Sequence, residues 1–283
     1  MDNSLDALHA SQLFSVKDLV AVISGGGSGI GRVIAHALAA NGAKHVYILG
    51  RRMDVLEEAA SGFDNMTPII CDVTDKDMLQ AAADQVWANS GYINMLWCNS
   101  GTSGPECADI NATTSLDDFV KHNWAPSVED YSSTFKVNTA GSWYTAIAFL
   151  RLLNEGNKQT AYRSQIVATC STLGFGRFAA TGRFAYGQSK ASQMHLMKQL
   201  GTHLVPYGIR VNMVAPGLFP TDMTTSMTST GYDVSKLIPE GRAGAASDIA
   251  GLALFLASKA GAYLNGNVLV CDGGRLCVVP STY

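Results

Sequence analysis

The chain lacks the features that mark several whole classes of protein. Its 283 residues hold no block of Lys or Arg and carry a net charge of −3. Nucleic acid and anionic membrane surfaces therefore find no electrostatic footprint on it. No apolar run is long enough to span a bilayer. Residues 1–10 contain acids and no Lys or Arg, the first being Lys17. No secretory or mitochondrial signal is expected, and a cytoplasmic location is. The six cysteines form no CxxC pair and no zinc spacing. Cys71, Cys98, Cys170 and Cys271 each close an apolar run, so they read as small buried hydrophobes in a reducing compartment. The histidines make no ligand pair on a helix face; His195 and His203 read as packing or surface residues, and no metal site is expected. Asn65 and Asn111 head glycosylation patterns that read as chance without a signal.

What is present is an ordinary globular balance, with 47% hydrophobic and 15% charged residues. Short β-branched runs alternate with longer helical patterns. Strands are expected at 19–24, 43–49, 67–71, 95–99, 165–169, 210–214 and 267–271. Helices are expected at 29–41, 53–60, 75–90, 128–155, 186–205 and 247–258. The strand runs are largely apolar rather than alternating, as strands covered on both faces should be. Repeated strand–helix alternation argues for an α/β fold, a single Rossmann-like, doubly wound domain with a parallel seven-stranded sheet. No repeat or linker marks a boundary, so residues 1–283 read as one domain, with a 1–15 extension and a 275–283 tail that could cross a subunit interface. Stretches 101–127 and 218–246 break the rhythm as long loops. Both follow a strand's C-terminal end, where ligands bind open α/β sheets.

The turn from Ser24 through Gly25, Ser28, Gly29, Ile30 and Gly31 follows the first strand and opens the first helix. Glycines permit a tight turn and close approach of a diphosphate, and the helix end offers free N–H groups and a positive dipole. Its spacing is GxxxGxG rather than GxGxxG; the plainer alternative is a flexible loop. About twenty residues on, an acid would suit the free ribose hydroxyl of NAD. Here Arg51 and Arg52 follow the second strand instead. Paired guanidinium groups suit a 2′-phosphate, which favours NADP over NAD, unless they merely solvate a loop.

Tyr186 and Lys190 stand at i and i+4, hence on one helix face. A tyrosine titrates near pH 10, and a cation one turn away lowers that value toward useful acid–base exchange. The pair opens a helix after a strand ending in Cys170, Ser171 and Thr172, whose hydroxyls suit a substrate carbonyl. Ser171 is the better candidate and Thr172 the fallback.

Taken together, the sequence resembles the short-chain dehydrogenase/reductase family from about residue 14 to 274. Residues 24–31 resemble its TGxxxGxG turn, and Asp72-Val73 its adenine-contacting pair. Asn99 and Gly101 stand in its NNAG position, with Cys98 and Ser100 as departures. Asn138, Ser171, Tyr186 and Lys190 match its catalytic tetrad. Pro216-Gly217 with Thr221 matches the segment that clasps the nicotinamide, and Gly241-Arg242 and Asp272-Gly273-Gly274 match its C-terminal signatures. The gap from Ser171 to Tyr186 and the 101–127 loop are longer than the family's.

The resemblance implies hydride transfer to a carbonyl. Tyr186 donates the proton, Ser171 positions the oxygen, Lys190 holds the ribose and depresses the tyrosine pKa, and Asn138 anchors a water linking Lys190 to solvent. NADP as cofactor favours reduction. Phe175, Phe178, Phe184, Leu218, Phe219, Met223 and Met227 suggest a bulky, mostly apolar small-molecule substrate, with Arg177 and Arg183 near enough to hold an anionic group. The same aromatics alternatively pack loops or an oligomer interface. The resemblance also implies a homodimer or homotetramer. Two other readings keep the cofactor: a redox-neutral isomerase, dehydratase or cyclase, and an NADP(H)-sensing binding protein.

Overall fold

The apolar runs pair side by side as parallel strands in a computed structural model, which describes residues 5–106, 113–178, 183–224 and 234–283. The strands are β1 (Val20–Ser24), β2 (His45–Gly50), β3 (Met66–Ile70), β4 (Met95–Cys98), β5 (Gln165–Thr169), β6 (Arg210–Pro216) and β7 (Val268–Cys271). They form one seven-stranded sheet in the order β3-β2-β1-β4-β5-β6-β7. The chain moves outward from β1 to β3, then returns across β1 to start β4. That reversal opens a crevice beyond the C-terminal ends of β1 and β4, the expected ligand position in such a sheet.

Both faces of the sheet are covered, which explains the largely apolar runs. Side chains alternate between them: Val20 and Val22 of β1 enter one core, while Ala21 and Ile23 enter the other. The helices are α1 (Gly29–Ala40), α2 (Met53–Ala60), α3 (Lys76–Ser90), α4 (Leu116–Trp124), α5 (Val128–Phe135), α6 (Ser142–Gly156), α7 (Phe184–His203) and α8 (Ala246–Ala257). α3, α6 and α7 supply the first core, and α1, α2 and α8 the second. Trp97, the largest fully buried side chain, packs in the second core and donates its indole N–H to Thr169 Oγ1 at 2.9 Å.

Several expectations are corrected. The single helix expected at 128–155 is two α-helices joined by a π-helical turn, Lys136–Gly141. The stretch 101–127 is not all loop, because α4 lies within it. Ser115 accepts a hydrogen bond from the Asp118 N–H at 3.1 Å, and Ser127 does the same for Asp130 at 3.0 Å. Those Ser-x-x-Asp spacings are the capping signal that marks both helix starts. The stretch 218–246 likewise holds a 3₁₀ turn, Asp222–Thr224, and a short helix, Val234–Leu237. No helix among the described residues is long and apolar enough to cross a membrane. Cys71, Cys98 and Cys170 are buried, but Cys271 is only partly so, since β7 is an edge strand.

The tail packs against the segment that follows Ser171. Ser281 forms an antiparallel bridge with Gly176, Thr282 donates its N–H to Phe175 O at 2.8 Å, and Tyr283 packs edge-on against Phe175. It therefore braces the segment that follows Ser171.

Candidate active site

The glycine turn is built by close backbone contacts. Gly25 and Gly29 adopt φ values of +66° and +51°, a region that favours glycine. Gly25 donates its N–H to Leu49 O at 2.7 Å, and its carbonyl accepts from Asn99 Nδ2 at 3.2 Å. A Cβ on Gly31 would strike both Gly25 O and Asn99 Nδ2. Ser24, which sequence reasoning passed over, ties the turn to the end of β4: its Oγ accepts from Asn99 N at 3.0 Å and Ser100 N at 3.1 Å. A small hydroxyl ending an apolar strand was the available signal.

Two cavities meet over this turn. The outer, of about 480 Å³, is lined by Arg51, Arg52, Asp72, Val73, Thr74 and Lys136 among others. The inner, of about 340 Å³, is lined among others by Ser171, Tyr186, Lys190, Pro216, Gly217 and Thr221. Gly29, Ile30 and Asn99 also line the inner cavity. Gly25, Ser28, Arg52, Ser100 and Gly101 line both, so the two form one crevice. Of the expected cofactor residues only Gly31 lines neither cavity; it is the packing contact beneath the turn.

At the outer end Arg51 and Arg52 are exposed and form no ion pair among the described residues. Burial works against the Asp72 carboxylate, but Thr74 overcomes it by donating its N–H at 2.9 Å and its hydroxyl at 2.8 Å. With help from Arg51 and Lys136, the Asp72 pKa ends below its usual value.

At the inner end the strand β5 delivers Ser171, and α7 delivers Tyr186 and Lys190. Ser171 caps the 3₁₀ turn Thr172–Gly174, accepting from Leu173 N at 3.2 Å. Thr172, the fallback hydroxyl, is turned away to Pro216 O at 3.3 Å. Lys190 is buried and donates to Thr169 O at 2.8 Å and to Gln193 Oε1 at 3.1 Å. Its ammonium lies 5.8 Å from the centroid of the Tyr186 ring. Burial raises the Tyr186 pKa, against hydrogen bonding from Ser171 and the positive charge of Arg183. The lowering expected from Lys190 is therefore not what sets this tyrosine here; desolvation dominates, and Ser171 and Arg183 oppose it.

Asn138 takes an unexpected place. It sits in the π-helical turn, fully buried, and lines neither cavity. Its Oδ1 accepts from Thr102 N at 2.8 Å, while Nδ2 donates to Thr102 O at 3.0 Å and Ser189 Oγ at 2.8 Å. Asn138 thus clamps the strand end after β4 to α7. A π-turn widens the backbone ring locally and is a frequent device at functional sites. Gln193 was also missed: it is buried, holds Lys190, and donates to Ser142 Oγ at 2.7 Å. Its one signal was a polar side chain one turn after Lys190 on a buried helix face.

The proposed substrate lining divides. Phe219 and Met223 line the inner cavity, Phe178 and Phe184 line a separate groove, and Leu218 lines another. Phe175 packs against the core and Tyr283. Met227 lies outside the described residues, as do 107–112 of the first long stretch and 225–233 of the second. Among the described residues no three His, Cys, Asp or Glu side chains cluster as a metal site.

Burial draws the Lys190 pKa from 10.5 down to about 8. The unfolded chain then binds the extra proton between those values, so this group makes stability rise as pH climbs through that window. The urea midpoint of the wild type is expected to gain on that of Lys190→Met between about pH 7.5 and 9.5. Parallel slopes for the two proteins would contradict the buried, depressed lysine.

A family model described as enoyl-(acyl carrier protein) reductase matches residues 25–275. The short-chain dehydrogenase/reductase VdtF of Byssochlamys spectabilis is 43% identical over 304 aligned residues, covering 98% of this chain and 99% of the relative. Among solved structures, the Pseudomonas aeruginosa RhlG/NADP active-site complex is similar with a TM-score of 0.80 at 28% identity, over 93% of this chain and 98% of that one. A gluconate 5-dehydrogenase from Burkholderia cenocepacia J2315, in complex with NADP and tartrate, is similar with a TM-score of 0.80 at 28% identity, over 96% and 100% of the two chains.

Proposed function

The chain belongs to the short-chain dehydrogenase/reductase family of oxidoreductases, and from that premise we propose that it is an NADP-dependent carbonyl reductase or alcohol dehydrogenase with Tyr186 as its acid and base. The observation that carries this reading is the continuity of the crevice. It runs from two exposed arginines, past the glycine turn, to a tyrosine, serine and lysine. A dinucleotide fits that length and that order of chemistry. NADP complexes of similar proteins support the choice of cofactor.

In this reading Arg51 and Arg52 hold the 2′-phosphate, and the N–H groups of the turn and of α1 face the diphosphate. Asp72 and Val73 flank the adenine. Pro216, Gly217 and Thr221 border the nicotinamide, which when bound supplies the hydride. Ser171 donates a hydrogen bond to the substrate carbonyl oxygen, and Tyr186 delivers its phenolic proton to the same oxygen as negative charge develops there. Lys190, held by Thr169 and Gln193, keeps a positive charge beside the tyrosine. Asn138 fixes the Thr102 backbone and α7 relative to each other. Phe219 and Met223 favour a bulky, mostly apolar ketone. Half-exposed Trp143, Tyr144 and Ile147 on α6 support a homodimer or homotetramer.

The reading is tested by following cofactor oxidation with aryl ketones and comparing Arg51→Ala with the wild type. Loss of a charge-assisted phosphate contact is expected to raise KM for NADPH by about 10- to 100-fold and to leave NADH within about threefold. Equal effects on both cofactors would remove the phosphate role.

A further inference from the structure

The proposed reaction makes no use of Arg183, a buried cation beside the site. Arg183 stands three residues before Tyr186, at the start of α7, and is only 5% exposed. Its Nη2 meets one carboxylate oxygen of Glu106, a side chain that is 39% exposed. Its Nε is buried and makes no hydrogen bond among the described residues. Nε and Nη2 form the edge of the guanidinium that a carboxylate bridges with two parallel bonds. Glu106 thus engages half of a two-pronged site, and the other prong is unsatisfied.

The surroundings suit a ligand rather than a structural clip. Arg183 and Arg177 line a groove of about 300 Å³ with Phe178, Phe184 and Gln188. The groove runs between the segment following Ser171 and the first turns of α7, where Phe184 and Gly187 flank Tyr186 in sequence. The positive charge of Arg183 is felt at the Tyr186 hydroxyl, which places it close to the chemistry. Glu106 reaches Arg183 from the long stretch that follows β4.

We propose that Arg183 anchors a carboxylate of the substrate, which takes the place of Glu106 on its Nε–Nη2 edge. This deepens, and rests on, the reading of the neighbouring cavity as a carbonyl-reducing site. The exchange keeps the buried guanidinium neutralised throughout, avoiding the heavy cost of stranding a charge away from water. It releases Glu106 to solvent, where an exposed carboxylate loses little. It also satisfies the idle Nε. A neutral substrate offers none of these gains and meets Glu106 still in position. The substrate class is therefore a mostly apolar keto acid, with its carboxylate held by Arg183 and its ketone over Ser171 and Tyr186.

The probes are 4-acetylbenzoate and its methyl ester, a matched keto acid and keto ester. Each is titrated calorimetrically into the wild type, Arg183→Gln, Arg183→Lys and Glu106→Gln, with folding checked by circular dichroism. The acid is expected to bind the wild type at least tenfold more tightly than the ester. Arg183→Gln should erase that ratio, Arg183→Lys should keep part of it, and Glu106→Gln should strengthen acid binding by removing the competitor. An acid-to-ester ratio near one in the wild type overturns the proposal, as does failure of either probe to bind or a ratio that survives Arg183→Gln. If Arg183→Gln does not fold, a ratio unchanged in both Arg183→Lys and Glu106→Gln overturns it. Reduction of the two probes by NADPH separates the two readings. Turnover without acid preference removes the anchor alone, and acid preference without turnover removes the reductase reading alone.

Discussion

Replacing Tyr186 with phenylalanine is expected to lower kcat by at least about 10³-fold while NADPH affinity stays near that of the wild type. The substitution removes one oxygen and keeps the ring. That oxygen belongs to a side chain that lines the inner cavity together with Ser171, and Ser171 hydrogen-bonds to it. Burial holds its pKa above the ordinary tyrosine value, so it stays protonated at neutral pH and is ready to give its proton in the reductive direction. Binding and catalysis are thereby separable: NADPH titration by fluorescence reads the first, and single-turnover oxidation reads the second. Retained turnover with ketones would sink the assignment of Tyr186 as the acid.

Gly31→Ala is expected to be nearly as damaging, through a different route. The added methyl meets a backbone carbonyl, Gly25 O, and an amide already bonded to that carbonyl, Asn99 Nδ2. The first is backbone and cannot swing aside as a side-chain end could, so the turn itself must move. Overpacking of this kind costs about 1–3 kcal/mol. The same shift opens the turn on which the diphosphate would lie. NADPH affinity should fall more than tenfold, and the thermal midpoint should fall by a few degrees. Gly42→Ala is the matched control, because a Cβ there meets nothing within 4 Å, though its φ of +87° brings backbone strain alone. Normal NADPH binding by Gly31→Ala would show that the turn does not carry the cofactor.

Strands were legible because their burial leaves an unambiguous mark. A run such as 165–169, with Ile166, Val167 and Ala168 consecutive, suits a strand covered on both faces, and β5 occupies those residues. Tyr186 and Lys190 were legible because helical spacing fixes which side chains share a face. The 128–155 region was not, because a π-turn changes the hydrogen-bond ring without changing residue composition. Asn138 was found by resemblance, but its role as a clamp depends on Thr102 and Ser189, which are distant in sequence and adjacent only after folding. The same holds for Gln193 and Ser24. The helix α4 was missed although Ser115 and Asp118 carried the capping pattern, because a polar stretch with few buried residues gives no periodic apolar signal. Tyrosine titration was misjudged because sequence shows a cation one turn away but not the desolvation that outweighs it.

In the proposed function one crevice joins an NADPH-binding end to a carbonyl-reducing end. The most direct measurement follows 340 nm absorbance and alcohol product together, with aryl ketones and with NADPH or NADH in parallel. One NADPH consumed per alcohol formed is predicted, with NADH at least about tenfold less efficient because Arg51 and Arg52 find no phosphate to bind. Substrate conversion without any absorbance change, or equal use of NADH, would contradict it.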